Sequence, residues 1–197
     1  MSNSFAEQKI KDAARKVFQA KGYDAARTRD IAEEAGVNLA LINYYYRSKE
    51  ALFNEIMQEN LELFRKNLYS ITNDPNTTPQ EKLELIVKNY YDIFQQEPAF
   101  LTFIFKEITN RDKTYVKKLN HRGILRNSFL EKQLVQAGKS KDEINQIFIN
   151  IVSLVIFPFI GSPIIRKICE LNNDGFKTMM DTRKKEIPLW ITNMFNL

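Results

Sequence analysis

Between Thr28 and Lys49 the chain runs Thr-Arg-Asp-Ile-Ala-Glu-Glu-Ala-Gly-Val-Asn-Leu-Ala-Leu-Ile-Asn-Tyr-Tyr-Tyr-Arg-Ser-Lys. With no thiol or imidazole, this stretch is equipped for hydrogen bonding and apolar contact rather than for breaking bonds. An arginine can fork onto a guanine edge, an asparagine onto an adenine edge, and small apolar side chains can meet the thymine methyl. Arg29, Asn43, Leu39 and Ala40 supply those groups here. Hydroxyl and ammonium groups near helix starts suit phosphate oxygens, and Thr28, Tyr45 and Lys49 supply these. Asn38, Leu41 and Tyr44 complete the candidate contacts to double-stranded DNA.

Such a set forms a site only if short helices hold it. Thr28 is expected to cap a first helix and Asp30 to suit its positive end, with Ile31, Ala32 and Ala35 as the apolar side. Gly36 supplies the positive φ that a tight turn needs just past a helix end. Asn38 is expected to cap a second helix, with Val37 and Ile42 inward and Leu39, Ala40, Leu41, Asn43 and Tyr45 outward, almost without charge. Ser48 and Glu50 mark a third start, where Lys49 either holds a phosphate or caps and packs. Helix, tight turn and helix make a helix-turn-helix.

From about Ile10 to Leu52 the chain resembles the TetR family of bacterial transcription regulators. The most specific part is Tyr44-Tyr45-Tyr46-Arg47-Ser48-Lys49-Glu50-Ala51-Leu52, an aromatic cluster followed by Ser-Lys-Glu-Ala-Leu. Asn43 stands where many members carry Tyr, which bears on the bases read; Tyr46 stands where Phe is usual, with no expected consequence. Arg29 matches a position that contacts guanine in some relatives. The resemblance implies a homodimer on a double-stranded operator, usually as a repressor, and a helical body that holds a small-molecule effector and dimerises through its last two helices. Beyond Leu52 it extends only to helical layout.

Composition agrees with this reading without proving it. A chain of 197 residues is one domain or a small head with a larger body. A net charge of +5 suits a polyanion, yet the first fifty residues hold nine Lys and Arg against seven Asp and Glu, so charge alone does not locate the contact. The single Cys169 excludes an internal disulfide and suits a reducing cytosol, and a cytoplasmic location is expected. Ile151 to Gly161, the longest apolar stretch, falls short of the ~18 residues of a membrane span, so no membrane partner is expected. His121 is the only histidine, and no phosphate loop, nucleophile elbow or zinc spacing occurs. An enzyme, a metal site and a cofactor are therefore not expected.

Apolar residues recur at three and four along the chain, predicting an all-α fold. The expected division is a three-helix DNA-binding head over residues 1–49 and a larger ligand-binding and dimerisation body over 50–197. Ile10, Ala13, Ala14, Val17 and Phe18 give the first helix its packing face, ending at Gly22. Leu52 to Leu68 predict a long connecting helix, and Thr78-Pro79-Gln80-Glu81 and Ser140-Lys141-Asp142-Glu143 are capping boxes. Further expectations are a buried helix at Phe100 to Phe105, a basic helix from about Lys113 to Ala137, and a break or kink around Pro158, Gly161 and Pro163.

Tyr91, Phe94, Phe103 and Phe148 are candidate walls of a pocket for a small apolar or aromatic effector, or ordinary core. Arg126 or Arg122 can hold a ligand carboxylate or belong to a solvated face. Ile151, Val155, Met179, Trp190 and Met194 are the candidate dimer contacts, with Trp190 open to interface or core. A ligand-binding or protein-interaction module with a vestigial helix-turn-helix is the alternative function.

Overall fold

The computed structural model describes residues 2–96, 101–105 and 124–197, which are helix, turn and loop, with no strand among them. The chain divides into two compact units, and the division falls inside one helix, between Phe64 and Arg65, rather than at the expected 49/50. The reason is packing: Leu52, Phe53, Ile56 and Met57 are all buried on the early turns of that helix and belong to the head core.

The first unit holds α1 (Ser2–Ala25), α2 (Thr28–Ala35), α3 (Leu39–Tyr46) and the start of α4 (Lys49–Asn73), with Phe103 added from a helical stretch at 101–105. Gly22, at φ 75°, interrupts α1 where the sequence predicts its end, and the last turn restarts beyond it. Ile10, Ala14 and Phe18 from α1 are fully buried, as is Ile31 from α2. Phe53 meets Phe18 edge-on at 5.1 Å, Tyr23 at 4.7 Å and Phe103 at 5.9 Å, geometry that aromatic quadrupoles favour. Phe103 therefore lines the head core and not a body pocket, a correction to its expected role. Of the predicted buried helix, residues 101–105 are helical, but Phe105 is 46 % exposed.

The second unit holds the end of α4, α5 (Pro79–Gln96), α6 (Phe129–Gln136), α7 (Lys141–Ile160), α8 (Ser162–Ile168) and α9 (Asn173–Phe195). α5 packs against α6, α7 and α9, and α7 against α9. Both expected capping boxes form: Glu81 N–H donates to Thr78 Oγ1 at 3.2 Å, and Glu143 N–H to Ser140 Oγ at 3.3 Å. One further cap lies outside the expected set. Ser128 Oγ accepts from Glu131 N–H at 3.1 Å, starting α6 after a left-handed Asn127, so the predicted basic helix does not run unbroken to Ala137. Its earlier portion, with Arg122, lies outside the described residues.

Two interior polar arrangements shape this unit. Lys82 is fully buried, and its ammonium donates to Asp74 O (2.7 Å), Thr77 O (2.6 Å) and Thr77 Oγ1 (2.7 Å), so all three protons are satisfied and the α4–α5 loop is clamped. Burial holds its pKa below the ordinary lysine value. In α7 the helix runs through Pro158 and ends at Gly161, not at the proline. Proline lacks the N–H that would bond to the carbonyl four residues back, and the Tyr91 hydroxyl donates to that carbonyl, Leu154 O, at 3.1 Å.

By length and composition α7 could cross a membrane, but Ile144, Ile147, Phe148, Ile151, Val155 and Phe159 are buried within the body. Tyr91→Phe is expected to cost about 1–3 kcal/mol by orphaning the Leu154 carbonyl. Adding Pro158→Ala should recover much of that loss, because an amide returns to the helix. Denaturant midpoints of the two single variants and the double variant check this; the same Tyr91→Phe penalty with and without Pro158 would reject it.

Candidate nucleic-acid interface

The site is built by the way α2 is started and stopped. Arg27, extended at φ −110°, is the cap residue, and its N–H donates to Asp30 Oδ2 at 3.0 Å. Thr28 is thus the first helical residue and not the expected cap. Lys21 lies 2.9 Å from Asp30, and this contact, followed by the Arg27 N–H, holds the Asp30 carboxyl below the usual carboxylate range. At the other end Gly36 is left-handed at φ 58°, where its N–H reaches Glu33 O and the Val37 N–H reaches Ala32 O, both at 3.0 Å.

Asn38 then accepts the Ala40 N–H at 2.5 Å, as its type and position predict, and α3 begins. Ile42 and Tyr46 are the residues of α3 that are buried, while Val37, expected inward, is half-buried. Ala40, Asn43 and Tyr44 are exposed, Leu39, Leu41 and Tyr45 half-buried, so the outward surface carries amide, hydroxyl and methyl groups without a charge. Tyr46 has more consequence than expected: its hydroxyl donates to Glu7 O at 3.4 Å, tying α3 to α1, and burial raises its pKa.

Lys49 occupies the start of α4, where Ser48 Oγ accepts the Ala51 N–H at 3.0 Å. Its ammonium donates to Tyr23 O at 2.8 Å and Ala26 O at 2.9 Å and sits 4.2 Å from the centre of the Tyr23 ring. It therefore neutralises carbonyls at the end of α1, the capping alternative of the sequence reading. Exposed cations around the turn and α3 include Arg27, Arg29 and Arg47, none of them ion-paired among the described residues, and Lys9, whose ammonium lies beside Gly36. Arg47 closes α3 in a left-handed conformation at φ 56°, with its N–H on Asn43 O. Arg27 and Arg47 were missed because the sequence does not reveal which cations have partners.

The body candidates separate into interior and surface. Tyr91 and Phe94 are buried and pack edge-on against Phe159 at 5.0 and 5.4 Å. Arg126 pairs with Glu131 at 2.5 Å and lies 5.7 Å from the centre of the buried Phe148 ring. Ile151 and Val155, expected at a dimer surface, are inside the core. They share the helical face of Ile144, Ile147 and Phe148, whereas Ile149 and Val152 are exposed on the other side, joined by Phe157. On α9, Met179 is half-buried, Trp190 lies at the exposed margin under the Arg183 guanidinium (5.1 Å), and Met194 is exposed. Among the described residues no group of His, Cys, Asp and Glu is placed to hold a metal.

Residues 10–56 match the model of bacterial regulatory proteins of the tetR family. Over 197 residues the chain is 24 % identical to "Probable HTH-type transcriptional regulator YttP" of Bacillus subtilis (strain 168), covering 96 % of this chain and 93 % of that one. Among solved structures it is similar to a TetR-family transcriptional regulator from Haemophilus influenzae, with TM-score 0.67, 17 % identity, and 94 % and 97 % of the two chains covered. It is also similar to the transcriptional regulator FadR from Bacillus subtilis in complex with stearoyl-CoA, with TM-score 0.64, 19 % identity, and coverage of 91 % and 96 %. The tetR-family match thus falls on the head that carries the α2–turn–α3 geometry, and the chain as a whole has the all-helical fold of these solved regulators.

Proposed function

We propose that the protein is a homodimeric, effector-responsive repressor that reads its operator through α3 and Arg29. The observation that carries this reading is the uncharged outward surface of α3 beside a closed left-handed turn, flanked by three arginines without ion pairs. Arg29 addresses a guanine, Asn43 an adenine, and Leu39 and Ala40 thymine methyls. Thr28 and Tyr45 take phosphates, joined by Arg27 and Arg47, while Asn38, Leu41 and Tyr44 border the same surface. A double-stranded DNA partner places the protein in the cytoplasm.

Two heads must enter successive major grooves about 34–36 Å apart, which requires a dimer. The exposed apolar side of α7, with Ile149, Val152 and Phe157, and the margin of α9 with Trp190 and Met194 support a second copy as its cover. The stearoyl-CoA complex of the similar regulator supports an effector with a long apolar part. Tyr91, Phe94 and Phe159 are packed ring on ring, so an effector that enters there opens the packing of α5 on α7. An arrangement of the heads unsuited to the operator then gains population.

Three outcomes test the reading. Selection from a random DNA pool with Arg29→Ala should relax one guanine position, worth ~1–3 kcal/mol; an unchanged base profile would defeat the assignment. Lys49→Ala should lower the melting temperature of the head while leaving the salt slope of DNA binding unchanged, whereas a slope reduced by about 1 per half-site would return Lys49 to a phosphate. Val152→Asp should dissociate the dimer in sedimentation runs and abolish operator binding with the helical signal intact. Ile151→Asp should unfold the body instead. A wild-type monomer at micromolar concentration with full operator affinity would reject the dimer.

A further inference from the structure

An ion ladder joins α1 to the early turns of α4. Lys11, only 9 % exposed, places its ammonium 2.5 Å from Glu55 Oε1 and 2.6 Å from Glu59 Oε1, with Glu7 at 3.9 Å. One turn further along α1, Arg15 takes the other oxygen of Glu59 at 2.6 Å and Asp12 at 2.8 Å. Two cations four residues apart thus mesh with two carboxylates four residues apart, all within the first unit. Burial by itself pushes the Lys11 ammonium down, but the hydrogen bonds to Glu55 and Glu59 outweigh it and hold the pKa above the ordinary lysine value.

Adhesion alone does not call for this arrangement, since the Glu55 and Glu59 side chains are 42 % and 39 % exposed and ion pairs in contact with water add little stability. What a ladder adds is register. Carboxylates one helical turn apart meet cations only at matching heights, so a slip of α4 along α1 breaks the Lys11–Glu55, Lys11–Glu59 and Arg15–Glu59 pairs together. The same helix begins with Ser48 and Lys49, which close the junction after α3 and the end of α1. The height of α4 on α1 therefore governs where α3 stands.

We infer that Lys11 and Arg15 are positioning residues for operator reading. By fixing Glu55 and Glu59, they hold α3 where its outward side chains meet base edges, without touching DNA themselves. This rests on the operator-binding reading above. It also gives a displacement of α4 a defined element to act on, because α4 continues into the second unit.

The test sets two effects of opposite sign against each other. Neutralising Glu55 and Glu59 makes the protein more positive, so simple electrostatics favours tighter DNA binding, whereas loss of positioning weakens the operator alone. The full-length E55Q/E59Q variant is titrated, over a salt series, with the duplex that the wild type selects from a random pool and with a scrambled duplex of equal length. The expected result is about tenfold weaker operator binding, scrambled binding equal or tighter, an unchanged salt slope, and a wild-type circular dichroism signal at the assay temperature.

Operator affinity unchanged or raised overturns the inference, and so does an equal loss on both duplexes. Should the double variant unfold, Glu55→Gln, which leaves the Arg15–Glu59 pair, must give a smaller operator-only loss. Lys11→Arg, which keeps the charge, must stay within about twofold of wild type; failure of either also overturns the inference. A wild type that selects no sequence overturns the operator reading itself, before any variant is made.

Discussion

A helix of eight residues cannot stand alone in water, and α3 has only eight. The proposed reading of DNA depends on how that short element is held from outside. Gly36 sets its entry, because only a left-handed residue brings the chain round so tightly after α2. Ile42 and Tyr46 bury its inner side, and the Tyr46 hydroxyl adds a tether to α1. Ser48 and Lys49 close its exit. An outward surface free of charge gains little from long-range electrostatics, so its usefulness rests on accurate placement.

The lysines show how misleading a net charge is when read as a surface property. Lys11, Lys49 and Lys82 are engaged inside the protein, each by a different set of acceptors: carboxylates, main-chain carbonyls, and carbonyls with a hydroxyl. An ammonium taken out of water needs acceptors for its three protons. Cations that fasten helices are unavailable to phosphates. Arginines at the edges of the short helices remain exposed, with planar forks of the kind that suit phosphate and guanine.

The body follows a similar logic with apolar groups. Pro158 removes one helix hydrogen bond from α7, and a tyrosine from α5 satisfies the freed carbonyl, so the defect links two helices. α7 is apolar on both sides, but among the described residues only one of them is buried. The exposed side is more hydrophobic than one helix packing into one core requires, and this gives the proposed homodimer its physical motive.

Much of the fold was legible in local chemistry. The Gly36 turn, the Asn38 cap, the boxes at Thr78 and Ser140, the interruption of α1 at Gly22 and the apolar spacing of α4, α5 and α7 each depend on residues within a few positions of one another. Local rules act at that range. The Ser128 cap is equally local, but the surrounding apolar spacing predicts an unbroken helix there. What the tertiary structure alone decided involves partners far apart in sequence: Lys49 with Tyr23 and Ala26, Tyr46 with Glu7, Tyr91 with Leu154, Lys11 with Glu55 and Glu59, and Phe103 against Phe53. The interior place of Ile151 beside the exposed Val152 belongs with these. A helix apolar all round has no sequence signal for which side its neighbours will cover, and a cation has none for whether a distant carbonyl or carboxylate will claim it.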